Sequence, residues 1–125
     1  MLFDTDVLIW VQRGNRRAAS LIDRTPARQI SVQTYMELLQ GARSRVQHQT
    51  IKDFLSECGF AVLPLSENIG HRASIYMEEY ALSSGLRAGD ALIAATAVEH
   101  NLVLGTANRK HFRNIRDLRL RVFRP

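Results

Sequence analysis

At 125 residues, the chain is long enough for one domain with a proper core and too short for two. Its 46% hydrophobic and 23% charged residues exclude a disordered or fibrous protein, and the lone Cys58 excludes an internal disulfide, so a reducing cytosol is expected. The net charge of +5 is carried almost wholly by arginine, since only Lys52 and Lys110 among the 17 basic residues are lysine. Guanidinium groups pair well with phosphate and carboxylate, so this bias fits an anionic partner. Met1–Leu2–Phe3 runs into Asp4 and Asp6 with no basic and apolar leader, and the apolar stretch Ala91–Val98 is too short to span a bilayer. A soluble, cytoplasmic protein with no membrane partner is expected.

Met1–Phe3 reads as a first strand ending at Asp4. Val7, Leu8, Trp10 and Val11 suit a short helix capped by Asp6 and ended by Gly14, and Arg16–Arg24 suits a second, stopped by Pro26. Gln29–Ser31 reads as a strand, and Ser31 or a neighbour caps a helix reaching Gly41. Ile51, Phe54, Leu55 and Cys58 share one face of a helix over Val46–Cys58, which makes Cys58 a small core residue. Ala61–Leu63 is a strand closed by Pro64. Ile69, Ala73, Tyr76, Met77 and Tyr80 mark a longer amphipathic helix ending at Gly85. Asp90 opens an alanine-rich helix through His100, and Leu102–Leu104 is a fourth strand broken at Gly105. The segment NRKHF reads as a loop, and Leu120–Phe123 as a final strand at a sheet edge, because arginines interrupt it. This alternation predicts an α/β fold with a mostly parallel sheet between helical layers, and ligands bound beyond the carboxyl ends of its strands.

Three acids stand out because each lies in apolar sequence: Asp4 in LFDTDVLIW, Glu37 in YMELLQGA and Asp90 in AGDALIAATA. Each has an ordinary structural role open to it, as a helix cap, a surface charge or a partner of a helix dipole. Together they are harder to place. Two carboxylates ~4 Å apart repel by about 4 kcal/mol at an effective dielectric near 20. Three such pairs would rival the stability of a whole domain. Either some are protonated or a cation neutralises them, and all-oxygen ligation suits Mg²⁺ or Mn²⁺. Such an ion suits phosphodiester hydrolysis, and a phosphate polymer would also account for the arginine excess.

The runs LFDTDVLIW, YMELLQGA, GDALIAATA and LGTANRKHF, in order along nearly the whole chain, resemble the PIN-domain ribonucleases, and among them the VapC-type toxins of toxin–antitoxin pairs. The resemblance implies one PIN-like nuclease domain over residues 1–125, built as an α/β/α sandwich. It implies a Mg²⁺-dependent endoribonuclease, with Mn²⁺ as a substitute, whose catalytic and metal-holding acids are Asp4, Glu37 and Asp90. It further implies a homodimer, a cognate antitoxin protein, an RNA substrate and contact with operator DNA only through the antitoxin.

Two positions depart from the family pattern. Asp6 stands where the first motif commonly has asparagine, and it is open to a helix cap or a pocket contact. Thr106-Ala107-Asn108 offers an amide where many relatives have a fourth acid, so Thr106 and Asn108 are auxiliary pocket residues and a single well-held ion is expected. Arg87, Arg109 and Lys110 are candidates for RNA phosphate. The arginines of the tail suit RNA, an acidic partner or plain solvation. Trp10 and Tyr35 are core aromatics that could also stack bases, and His111 reads as an incidental polar residue. The alternatives are a PIN-like module that only binds, and a haloacid-dehalogenase-like phosphatase suggested by Asp4-x-Asp6. The phosphatase would need a placed lysine and a downstream acid pair that this chain lacks. A phospho-acceptor receiver domain is a further alternative, but Pro64 stands where its acceptor Asp would be.

Overall fold

The computed structural model describes residues 1–125. The elements run β1 (Leu2–Phe3), α1 (Thr5–Gln12), α2 (Arg16–Asp23), β2 (Gln29–Ser31), α3 (Val32–Gly41), α4 (Arg45–Glu57) and β3 (Ala61–Leu63). They continue through α5 (Glu67–Ser84), α6 (Ala88–Glu99), β4 (Leu104–Thr106), α7 (Arg109–Phe112) and β5 (Leu120–Val122). The five strands form one sheet in the order β3-β2-β1-β4-β5, and every neighbouring pair is parallel. The chain leaves β1 toward β2 and β3, then returns to the other side of β1 to lay down β4 and β5. The order therefore reverses between β1 and β4, where Leu2 pairs with Leu104 and Phe3 with Gly105.

Strand side chains alternate between the two faces, so consecutive residues of β1 feed different halves of the core. Leu2 packs with Leu104, Ile69, Ala73, Ile93 and Phe112 beneath α5, α6 and α7. Phe3 packs with Val7, Leu8, Leu21, Ile22, Ile30 and Leu55 beneath α1, α2 and α4. Ala91, Ala94, Ala95 and Ala97 of α6 are fully buried, and their small side chains let this helix lie close to its neighbours.

Side-chain caps define most helix starts. Asn15, Ser31, Ser44 and Ser66 accept from backbone N–H groups of α2, α3, α4 and α5, and Gly85 ends α5 in the left-handed conformation, φ 67°. Four expectations are corrected. The cap of α1 is Asp4, whose Oδ1 accepts from Thr5 N at 2.8 Å, and Asp6 lies inside the first turn instead. Helix α6 begins at Ala88, so Asp90 is its third residue. Strand β4 is Leu104–Thr106 rather than Leu102–Leu104, because its hydrogen-bonding register with β1 carries it through Gly105. Finally, part of NRKHF is helical, as α7.

Candidate active site

The reversal between β1 and β4 opens a crevice at the carboxyl ends of those strands, the position where parallel sheets bind ligands. Asp4 follows β1 directly and Thr106 is the last residue of β4, so the two flank this crevice. Asp4 is only 5% exposed. Its Oδ1 caps α1, and its Oδ2 accepts from the Thr106 hydroxyl at 2.8 Å. Thr106 is the hub of the site. Its Oγ1 also lies 3.3 Å from Asp6 Oδ2 and accepts from Asn108 N at 2.9 Å. One hydroxyl proton cannot fully serve two carboxylates, and the shorter distance gives it to Asp4.

Asp6 Oδ2 accepts from Ala107 N at 3.0 Å, whereas its Oδ1 is buried with no hydrogen-bond partner. A buried carboxylate oxygen without a donor is costly. The electrostatics agree with the geometry. Burial pushes the Asp4 carboxyl well above the usual carboxylate range; the charges of Asp6 and, less, Asp90 push the same way, and the bonds from Thr106 and Thr5 oppose them. Burial also raises Asp6, against the bonds from Ala107 and Thr106. No lysine or arginine forms an ion pair with Asp4, Asp6, Glu37 or Asp90.

Glu37 reaches the crevice from α3. Its Oε1 accepts from the Thr5 hydroxyl at 2.6 Å, and Thr5 is in turn 3.0 Å from Thr34 Oγ1. Its other oxygen lies against the first turn of α6, where a Cβ added at Gly89 would stand 3.0 Å from Oε2. Glycine at this position lets α6 and the Glu37 carboxylate approach each other. Asp90 occupies that same first turn and accepts a long bond, 3.4 Å, from Arg87 N. The helix dipoles of α1 and α6 offset part of the charge on Asp4 and Asp90, by about 0.3–1 kcal/mol each.

The structure therefore joins Asp4, Asp6 and Asp90 electrostatically and hangs Glu37 beside them through Thr5. No three His, Cys, Asp or Glu side chains are already set around a common point. The donor set nevertheless fits a hard divalent cation. It is all oxygen, it is unneutralised, and it includes a buried oxygen lacking any donor.

His111 belongs to the site, contrary to expectation. Its Nδ1 stands 3.4 Å from Asp90 Oδ2 and 2.9 Å from the Asn108 side-chain nitrogen. These contacts compete for one atom, because accepting from the amide requires Nδ1 unprotonated and donating to Asp90 requires the proton. The available signal was the spacing of Asn108 and His111, three residues apart and on one side of a helical turn. A loop would not hold that spacing, but the helical turn of α7 does. Arg109 and Lys110 are exposed on α7 beside His111, and Arg87 is exposed at the start of α6. Trp10 and Tyr35 are half-buried against the core, and the Arg13 guanidinium lies 5.5 Å from the Trp10 ring centre.

An all-parallel sheet with unneutralised carboxylates at its switch crevice defines an α/β protein with an acidic, oxygen-donor pocket. The PIN-domain family model matches residues 1–118. This chain belongs to the PIN-domain family. It is 36% identical over 118 residues to ribonuclease VapC10 of Mycobacterium tuberculosis, a match spanning 90% of this chain and 85% of that protein. A chain of a toxin–antitoxin complex from Klebsiella pneumoniae superimposes with a TM-score of 0.80 at 36% identity, covering 94% of this chain and 93% of that one. DNA-bound VapBC from Salmonella typhimurium shares the fold, with a TM-score of 0.80 at 22% identity over 97% of this chain and 96% of that one.

Proposed function

We propose that this chain is a metal-dependent endoribonuclease and the toxin of a toxin–antitoxin pair, acting in the cytoplasm as one domain over residues 1–125. The observation that carries the reading is the Asp4–Asp6–Thr106 arrangement, in which two carboxyls are raised by burial and one oxygen is left without a donor. Similarity to ribonuclease VapC10 supports the activity, and similarity to the Klebsiella toxin–antitoxin complex supports an antitoxin as partner. Any contact with operator DNA would run through that antitoxin, and the chain would act as a homodimer.

Asp4, Asp6 and Asp90 would hold Mg²⁺, or Mn²⁺ in its place, with Glu37 ligating or orienting water from the α3 side. A bound divalent cation would supply charge that acidifies an attacking water and stabilises the departing oxygen. Asp4 is held by the cap of α1 and the Thr106 hydroxyl, so its orientation is set before any ligand arrives. Glu37 is similarly fixed by Thr5, which leaves Oε2 free to accept a proton from water. His111 adds an imidazole beside Asp90, on the same α7 turn as Arg109 and Lys110, which would contact phosphate.

The test is cleavage of single-stranded RNA by the purified chain, with Mg²⁺ or Mn²⁺ and with EDTA. Metal-dependent internal cleavage that disappears in Asp90→Asn is the expected result. Turnover of small phosphomonoesters without RNA cleavage would replace this reading with a phosphatase, and inactivity on both would leave a binding module.

A further inference from the structure

Outside the crevice, α2 and β5 enclose a groove of about 460 Å³ with Arg16, Arg17 and Arg24 on one wall and Arg121 and Arg124 on the other. No acidic residue lines it. All five arginines are exposed, and none takes part in an ion pair. Like charges gathered this closely repel, even after screening by salt, so the groove is electrostatically complementary to an anion.

Its shape follows from two periodicities. On α2, Arg17, Leu21 and Arg24 fall on one stripe, and Leu21 turns into the core. On β5, Arg121 and Phe123 share a face, and Phe123 is buried against α2 as the floor of the groove. Arg17 donates to the Arg124 carbonyl at 3.3 Å, which sets those two arginines together at one end. From there both walls run ~10 Å, from Arg17 to Arg24 along the helix and from Arg124 to Arg121 along the strand. Two groups of arginine anchored about 10 Å apart along the backbone match an anion that repeats along a line. A stacked nucleic-acid strand rises about 3.4 Å per nucleotide, so the groove spans about three nucleotides.

The groove also leads to the crevice. Phe123 N donates to Thr106 O at 3.0 Å, and the Thr106 hydroxyl holds Asp4. The Arg17–Arg124 end thus lies on the same rim as Asp4, two strand spacings or ~10 Å away. We propose that this arginine groove is a backbone track for single-stranded RNA, gripping phosphates that flank the bond presented to Asp4, Asp6 and Asp90. The proposal rests on the ribonuclease reading for its substrate. The groove would lower KM for long RNA and leave the cleavage step itself untouched.

The experiment measures binding of a fluorescent single-stranded RNA by anisotropy across a series of NaCl concentrations. Using Asp90→Asn in EDTA keeps the RNA intact. The expected result is that the triple substitution Arg17→Gln, Arg121→Gln and Arg124→Gln weakens binding at least about tenfold. It also flattens the plot of log affinity against log salt by about 2, at roughly 0.7 for each phosphate of a single strand that is no longer neutralised. The matching triple substitution to lysine keeps the charge and is expected to keep the slope. With Asp90 restored, the glutamine triple should cut a dinucleotide as fast as the parent chain and long RNA with a raised KM.

Unchanged RNA affinity and slope would overturn the track. So would a lysine triple that loses as much slope as the glutamine triple, because the loss would then not be one of charge. A groove whose substitution weakens only an acidic antitoxin peptide would be a partner surface, which also overturns it. Groove-dependent RNA binding by a parent chain that cuts no RNA would instead retire the ribonuclease reading and leave the track standing.

Discussion

Two clusters of charge in this molecule are built on opposite principles. At the junction of α5, α6 and the segment before β5, Arg72 meets Glu99 at 2.9 Å and Asp117 at 3.3 Å, so both acids have a partner. At the β1–β4 crevice, Asp4 feels the charges of both Asp6 and Asp90, and no lysine or arginine is paired to any of the three. The first cluster ties helices together by sharing one guanidinium between two acids. The second destabilises the ion-free fold, and either protonation or a ligand of opposite charge relieves it. Charge left unbalanced inside a crevice indicates function, whereas a satisfied network indicates architecture.

Substitution can break this contrast most sharply at the crevice. Asp4→Asn or Asp90→Asn should cut metal-dependent RNA cleavage by about a hundredfold or more, since both acids are assigned to holding the ion. Asparagine caps a helix as well as aspartate does, so circular dichroism should show Asp4→Asn folded. Retention of full activity by either variant would remove the acidic pocket from the mechanism.

A smaller effect is expected from Gly89→Ala. The new methyl would meet Glu37 Oε2 at 3.0 Å and Gln33 Nε2 at 3.1 Å, so those side chains must give way. Alanine favours a helix over glycine by about 1 kcal/mol. Melting should therefore stay level or rise while cleavage falls roughly tenfold, separating the position of Glu37 from the stability of α6. A variant as active as the parent would show that the placement of Glu37 does not matter.

The two clusters should also differ with pH. Burial raises Asp4 and Asp6 above the ordinary carboxylate value of 3.8. The folded chain then holds protons that the unfolded chain has already released. Their stabilising contribution is complete below about pH 3.8 and is lost as pH rises through the raised values. In EDTA, the melting temperature contributed by this site should decline from acid toward neutral pH, and Asp4→Asn should flatten that decline. Added Mg²⁺ or Mn²⁺ should restore stability at neutral pH by binding the folded state. A metal-free chain whose melting does not respond to Asp4→Asn at neutral pH would contradict the unbalanced-charge account.

The smallest effect belongs to the Arg72 cluster. Arg72→Gln removes a pair whose members are partly exposed, at 34% and 22%, so roughly 0.5–1 kcal/mol and a few degrees of melting temperature are at stake. RNA cleavage should not change. A large loss of activity would mean that this cluster communicates with the crevice.

The sequence pattern determined a good deal of this protein. Apolar runs set the order of the elements, and Ser31 and Gly85 marked helix ends through local hydrogen bonds or backbone freedom that depend on few neighbours. The prominence of Asp4, Glu37 and Asp90 was equally visible, because a carboxylate in apolar sequence is conspicuous wherever the chain goes. Tertiary structure decided what those acids meet. Pairing of β4 with β1 carried the strand to Thr106 and so placed one hydroxyl between Asp4 and Asp6, 102 residues apart in the case of Asp4. It gave Asp6 a place in the pocket instead of at the helix cap, and it wound NRKHF into the turn that brings His111 to Asp90. Local periodicity is a property of neighbours along the chain, but burial, the sharing of a proton and the absence of a counter-charge are properties of neighbours in space. For that reason the sequence named the acids, and only the folded sheet made Asp4, Asp6 and Asp90 one site.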